Sequence, residues 1–271
     1  MSVLPGIRLN NAPKIDVLIP AIEKDLATLP LVIDNIRRYV KHPIGSIYIV
    51  SPVSTKIRKL CSLKNCIFVN ERSVLPITKN DIHYQSSRWN RSGWLYQQLL
   101  KMNGDSIVKA KYFLVMDADT VLIKPHSFLV EGKTVFYCRD WSQPEYFNTY
   151  RKLLGMKAPR PRSFVTHYML FDKSKLAALK QKIEAVHKLP WYKAIISNIN
   201  KKKQFGFSEY ETYANFMYTK NPGSMVLRSS KNKSLNVNAS SLKEQQIRNL
   251  ALKYRSLSFH KRKIYSKAPR A

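Results

Sequence analysis

The chain has 271 residues, 44% of them hydrophobic, enough to bury the core of one large domain and too apolar for a disordered segment. Its 47 Lys and Arg against 17 Asp and Glu give a formal net charge of +30, which points to anionic partners such as nucleic acid, lipid headgroups or phosphorylated substrates. Cys61, Cys66 and Cys138 make neither a disulfide framework nor a four-ligand zinc site, and no apolar run approaches the roughly 18 residues that span a bilayer. With no apolar leader at the N-terminus either, a cytoplasmic protein is expected, in contact with a membrane at most through its basic surface.

Residues 14–22, KIDVLIPAI, form a short apolar run that ends at a proline, as a buried parallel strand does. Residues 23–40 place Leu26, Leu29, Ile33, Ile36 and Val40 at helical spacing, with Pro30 marking a break or a first helical turn. GSIYIVSP (45–52) is the next strand, VSTKIRKLCSL (53–63) a short helix, and CIFVN (66–70) a third strand. This β-α-β-α-β rhythm predicts a parallel sheet. SSRWNRSGWLYQQLLKMNG (86–104) reads as one helix, with Trp94, Leu95, Gln98, Leu99 and Met102 on a face and Asn103-Gly104 stopping it. KYFLVMDADTVLI (111–123) then reads as a buried strand running into Asp117-Ala118-Asp119. Beyond it, strands are expected at 134–140, 163–172 and 256–260, and helices at 173–188, 208–220 and 242–254. Residues 220–241, rich in Asn, Ser and Lys, read as a loop.

Two carboxylates one residue apart at the carboxyl end of a strand suit a hard divalent cation. The backbone leaves the sheet there, so both side chains can turn into the crevice where open α/β sheets bind ligands. Mn²⁺ or Mg²⁺ would relieve their repulsion and take substrate phosphate as a further ligand.

Taken with IDVLIPAIEKD, RSGWLYQQLLK, THYMLFD, FSEYETY and SFHKRK, in that order from residue 14 to about 263, the Asp-Ala-Asp motif resembles the GT-A-fold glycosyltransferases that use nucleotide sugars. The nearest resemblance is to a little-characterised bacterial and viral branch. It implies an α/β, GT-A-like fold in a single domain over 1–271. A nucleotide-sugar part would occupy about 14–120, an acceptor side about 121–263, and a basic tail 264–271. Asp119 would be the principal ligand of Mn²⁺ or Mg²⁺, and Asp117 would meet the ribose, or the metal through water. Pro20, Ala21, Lys24 and Asp25 would meet base and ribose, and Arg88 and Arg91 the phosphates or base. His260 would return to the metal, with Lys261 beside the diphosphate, and His167 would face donor sugar or acceptor. The donor expected is UDP-linked, and the acceptor a glycan, a lipid-linked sugar or an anionic molecule. Trp94, Trp141 and Tyr168 are the rings that could stack on a sugar or base.

An inverting transfer needs a base for the acceptor hydroxyl. Only eight acids follow Asp119, and two of them, Glu209 and Glu211, stand in FSEYETY. Ser208 and Glu211 have the spacing of a capping box, which would occupy Glu211 and leave Glu209 as the base, with Glu211 in reserve. Retaining relatives need no such base, so the stereochemistry stays open. Two other readings compete. FLVMDADTV also matches the first motif of haloacid-dehalogenase-type phosphatases, with Asp117 as nucleophile. Those enzymes need a downstream acidic pair that the chain does not supply. The +30 charge also suits a nucleic-acid-binding protein, although no helix-turn-helix, zinc-finger or RNP-type signature is present, and nucleic acid is not the expected partner.

Overall fold

The computed structural model describes residues 12–259. In chain order the elements are β1 (Ile15–Pro20), α1 (Leu29–Tyr39), β2 (Ile44–Ser51), α2 (Thr55–Leu63), β3 (Ile67–Asn70), β4 (Gln85–Ser86), β5 (Trp89–Asn90), α3 (Ser92–Met102), α4 (Gly104–Ile107), β6 (Tyr112–Met116) and β7 (Thr120–Leu122). They continue with β8 (Leu129–Val130), β9 (Lys133–Cys138), α5 (Pro144–Leu154), β10 (Tyr168–Asp172), α6 (Lys173–His187), α7 (Trp191–Asn198), α8 (Glu209–Lys220), β11 (Met225–Ser229), β12 (Asn232–Ser234), α9 (Glu244–Lys253) and β13 (Ser256–Ser258).

The central sheet has the order β10-β6-β1-β2-β3, parallel throughout except for β10, which runs antiparallel to β6. β1 lies in its middle with all six residues buried, as its largely apolar run requires. One acid interrupts that run. The Asp16 carboxylate accepts the backbone N–H groups of Ser46, Lys109 and Ala110 at 2.8–2.9 Å, which pins the β2 entrance and the turn before β6 to the central strand. Core side chains pack on both faces of the sheet. One face meets α3, α5, α6 and α8, and the other meets α1 and α2.

Pro30 sits in the first turn of α1, preceded by a separate 3₁₀ turn at Glu23–Ala27. The stretch 86–104 divides. Residues before Arg91 form the small β4–β5 hairpin, and the helix starts only at Ser92. The opening run 111–123 also divides. β6 belongs to the central sheet, while β7 pairs with β13 in a second sheet, so Asp117-Ala118-Asp119 is the corner between two sheets. Residues 220–241 are not a simple loop. β11 pairs in parallel with β9, and β12 with β13. β11 has an apolar start, Met225-Val226-Leu227, whereas β12 has no apolar residue and forms because β13 supplies its partner.

Candidate active site

At the carboxyl ends of β1 and β6 lies a cleft of about 1170 Å³. Pro20 and Ala21 end β1 and line it, followed by Lys24 and Asp25. Asp117, Ala118 and Asp119 contribute from the β6–β7 corner, Gln98 and Lys101 from α3, and Glu209 from the first turn of α8. Asp25, Glu71, Asp117, Asp119, Asp140 and Glu209 line it, six of the 17 acids in the chain. The excess positive charge therefore lies mostly elsewhere on the molecule.

The floor of the cleft is a buried charge network. The Lys101 ammonium, 3% exposed, donates to Asp117 Oδ1 and, at 2.8 Å, to Glu209 Oε1. His167 Nδ1 lies 3.0 Å from Asp117 Oδ2, and the Tyr210 hydroxyl donates to Asp117 Oδ1 at 3.3 Å. Burial alone would pull the lysine toward neutrality, but the two carboxylates outweigh it and raise its pKa well above the ordinary lysine value. For Asp117, burial pushes upward, and the combined pull of Lys101 and His167 holds it well below the usual carboxylate range. Glu209 goes the other way. Burial raises it and Lys101 only partly offsets that, because the Asp117 charge adds to the rise. The backbone N–H of Glu209 donates to Gln98 Oε1 at 3.3 Å, which fixes the start of α8 against α3.

Most of the expected site residues come together here. Pro20, Ala21, Lys24, Asp25, Arg91, Asp117, Asp119, His167 and Glu209 all line the cleft. Asp25 Oδ2 accepts the Ile22 N–H at 2.9 Å, and burial raises its pKa, with the Asp119 and Asp117 charges adding to the shift. The Arg91 guanidinium lies over the Phe205 ring at 4.6 Å and the Trp94 ring at 5.5 Å. Arg88 is exposed in the β4–β5 turn and is not among the lining residues. Glu211 does not line the cleft either. The Ser208 hydroxyl does cap α8 by accepting the Glu211 N–H at 3.2 Å, but the Glu211 carboxylate does not complete the capping box. It accepts instead from the Ser142 and Ser163 hydroxyls and the Phe164 N–H. His260 and Lys261 lie outside the described residues. The chain approaching them is anchored next to the motif, because the Phe259 N–H donates to the Asp119 carbonyl at 2.8 Å.

Lys101 and Gln98 escaped the sequence reading, although a signal was present. Both are polar and three residues apart on a helix whose other buried positions are mostly apolar, so they share a face.

Among the described residues, no three or more His, Cys, Asp and Glu are grouped so as to hold a metal ion. Both Asp117 oxygens are engaged by protein groups. Asp119 is partly exposed at the cleft, and its Oδ1 accepts from the Thr120 hydroxyl at 3.3 Å. A hard cation bound here would take Asp119 as its protein oxygen and need substrate oxygens to complete its shell.

Among solved structures, the apo form of the WbbM bifunctional glycosyltransferase superposes with a TM-score of 0.51 at 11% identity, over 95% of this chain and 47% of that one. This chain thus spans about half the length of WbbM and shares a glycosyltransferase fold with it. Mouse xyloside xylosyltransferase 1, also apo, matches at 12% identity with a TM-score of 0.49, over 90% of this chain and 97% of that one. The galactosyltransferase LgtC, with donor and acceptor sugar analogues, matches at 12% identity with a TM-score of 0.48, over 90% and 87%. No curated protein sequence matches. One family model, described as a family of unknown function (DUF6492), matches residues 12–243.

Proposed function

We propose that this chain, which belongs to the DUF6492 family of unknown function, is a metal-dependent glycosyltransferase that moves a sugar from a UDP-linked donor to a glycan or lipid-linked acceptor. The carrying observation is that Asp119 and Glu209, far apart in sequence, line one cleft at the carboxyl edge of a mostly parallel sheet. The shared fold with WbbM supports this reading, and the phosphatase alternative is not favoured.

In this reading Pro20, Ala21, Lys24 and Asp25 take the nucleoside. Asp119 would hold Mn²⁺ or Mg²⁺, which supplies Lewis-acid stabilisation of the departing diphosphate. Asp117, ionised and fixed by Lys101 and His167, forms a rigid wall beside the ribose rather than a second ligand. Glu209 accepts the proton of the acceptor hydroxyl as that oxygen bonds to the anomeric carbon and the bond from carbon to diphosphate breaks. Its upward-shifted pKa suits a base better than an ordinary carboxylate would. This chemistry inverts the anomeric centre.

Substitution of Asp119 by Ala tests the metal role. The expected result is loss of Mn²⁺-stimulated UDP-sugar hydrolysis or transfer by about 10²-fold or more, with the fold intact. Full metal-dependent turnover in that variant would refute it.

A further inference from the structure

Of the three rings singled out as candidates for sugar stacking, one is fully buried and one is a half-buried part of an aromatic cluster in the cleft wall. Tyr168 is fully buried against His126 and Tyr137, and Trp94 packs on Tyr84 and Phe205. Trp141 is different. It is 58% exposed and lines the cleft, on the segment RDWSQ (139–143) that joins β9 to α5. A tryptophan in water is a large apolar surface left unburied, and here it stands beside the proposed site.

The segment that carries it is held from several sides. Arg139 exchanges backbone hydrogen bonds with Ser163 in both directions, at 2.8 and 2.9 Å. Arg139 Nε donates to the Trp141 carbonyl at 2.9 Å while its guanidinium lies 5.1 Å from the centre of the ring. Asp140 is ion-paired with Arg162. Behind the segment, the buried Glu211 carboxylate accepts from Ser142 at 2.5 Å and Ser163 at 2.7 Å, tying α8 to both strands of the turn. The ring is therefore presented at the cleft by a fixed scaffold rather than by a loose loop. Arg139, Asp140 and Gln143 line the cleft around it.

A fixed, exposed indole flanked by planar, hydrogen-bonding side chains matches a pyranose ring. The C–H face of the sugar packs on the aromatic surface, and its equatorial hydroxyls donate to carboxylate and amide oxygens and accept from guanidinium and amide N–H groups. Asp140 is already paired with Arg162, and Arg139 is engaged with the Trp141 carbonyl and ring, which suits a hydroxyl-rich neutral ligand better than a polyanion. We propose that residues 139–143 form the acceptor subsite and take a pyranose residue of a glycan, with Trp141 as its stacking platform. Arg139, Asp140 and Gln143 bind its hydroxyls, and Glu211 is the positioning residue behind them. The word acceptor rests on the glycosyltransferase reading; the saccharide site itself does not.

The test is saturation-transfer difference NMR on the full chain with the methyl β-pyranosides of glucose, galactose, mannose and xylose. UDP thermal shifts in the presence of Mn²⁺ are recorded in parallel. At least one pyranoside is expected to receive saturation on its ring C–H protons from the wild type. Trp141→Ala should weaken that binding roughly tenfold, and Trp141→Phe should retain most of it. Both variants should keep the wild-type UDP shift. Absence of signal from all four pyranosides, or undiminished binding by Trp141→Ala, overturns the proposal. Saccharide binding without any UDP shift would leave the subsite standing and remove the glycosyltransferase reading instead.

Discussion

Replacing Lys101 with Met removes a buried cation that pairs with both Glu209 and Asp117, without changing side-chain volume much. The Lys101 and Glu209 side chains are 4% and 3% exposed and that of Asp117 is 20% exposed, so solvent does little to replace the lost ammonium. Breaking a buried ion pair from one side costs about 3–5 kcal/mol. For a domain of this size that corresponds to a fall in Tm of about 5–10 °C near neutral pH. The sign of the pH dependence follows from the shifts. In the wild type, Asp117 is held below its unfolded pKa, so its contribution to stability is complete above that value and fades only in strong acid. In Lys101→Met both carboxylates are raised instead, so the folded variant takes up protons more readily than its unfolded chain. The Tm deficit should then be greatest at pH 8 and shrink as pH falls toward 5. Differential scanning fluorimetry across that range reads it directly. A deficit under about 2 °C at pH 8, or one independent of pH, would refute the picture of Lys101 as counterion to two buried carboxylates.

Two further outcomes are expected. Glu209→Gln should keep the UDP thermal shift and lose transfer by about 10²–10⁴-fold, measured with a UDP-release assay. Transfer at the wild-type rate would place the base elsewhere. Gly104→Ala should cost about 1–3 kcal/mol by overpacking, because the added methyl would sit 2.4 Å from Phe113 Cε2 in the core. Nucleotide binding below the lowered Tm should be unchanged, and chemical denaturation gives the stability difference.

Residues 14–70 are legible because each strand is a short apolar run with a turn or breaker at its end, and each helix shows one apolar stripe. β1, β2, β3 and α2 stand within about two residues of their expected bounds, whereas α1 starts at Leu29, six residues after the expected stretch opens, with Pro30 in its first turn and a separate 3₁₀ turn before it. The second half was harder for identifiable reasons. α5 went unread although Pro144 opens it and Gly155, at φ 71°, closes it. Its buried face is built from Tyr146, Phe147 and Tyr150 among polar neighbours, which blurs the period. β12 is polar throughout and exists only through its partner β13, so no local pattern marks it. In the site, Asp117-Ala118-Asp119 and Glu209 could be picked out because acids are scarce in this chain. The partners that determine how they behave could not. Lys101 reaches Asp117 and Glu209 only because α3, the end of β6 and the start of α8 converge, and that convergence is a property of the fold. The same holds for Glu211, whose spacing suggests a helix cap but whose carboxylate meets Ser142 and Ser163 once α8 packs against the turn after β9.

The most direct test of the central claim is the thermal shift of the full chain with UDP, with and without Mn²⁺, in wild type and Asp119→Ala. Saturating UDP at about 100 times its Kd contributes about 2.7 kcal/mol, so a rise of roughly 5 °C or more is expected. That rise should require Mn²⁺ and should vanish in Asp119→Ala. No shift with UDP and metal, alongside a clear shift with RNA or DNA, would contradict the account.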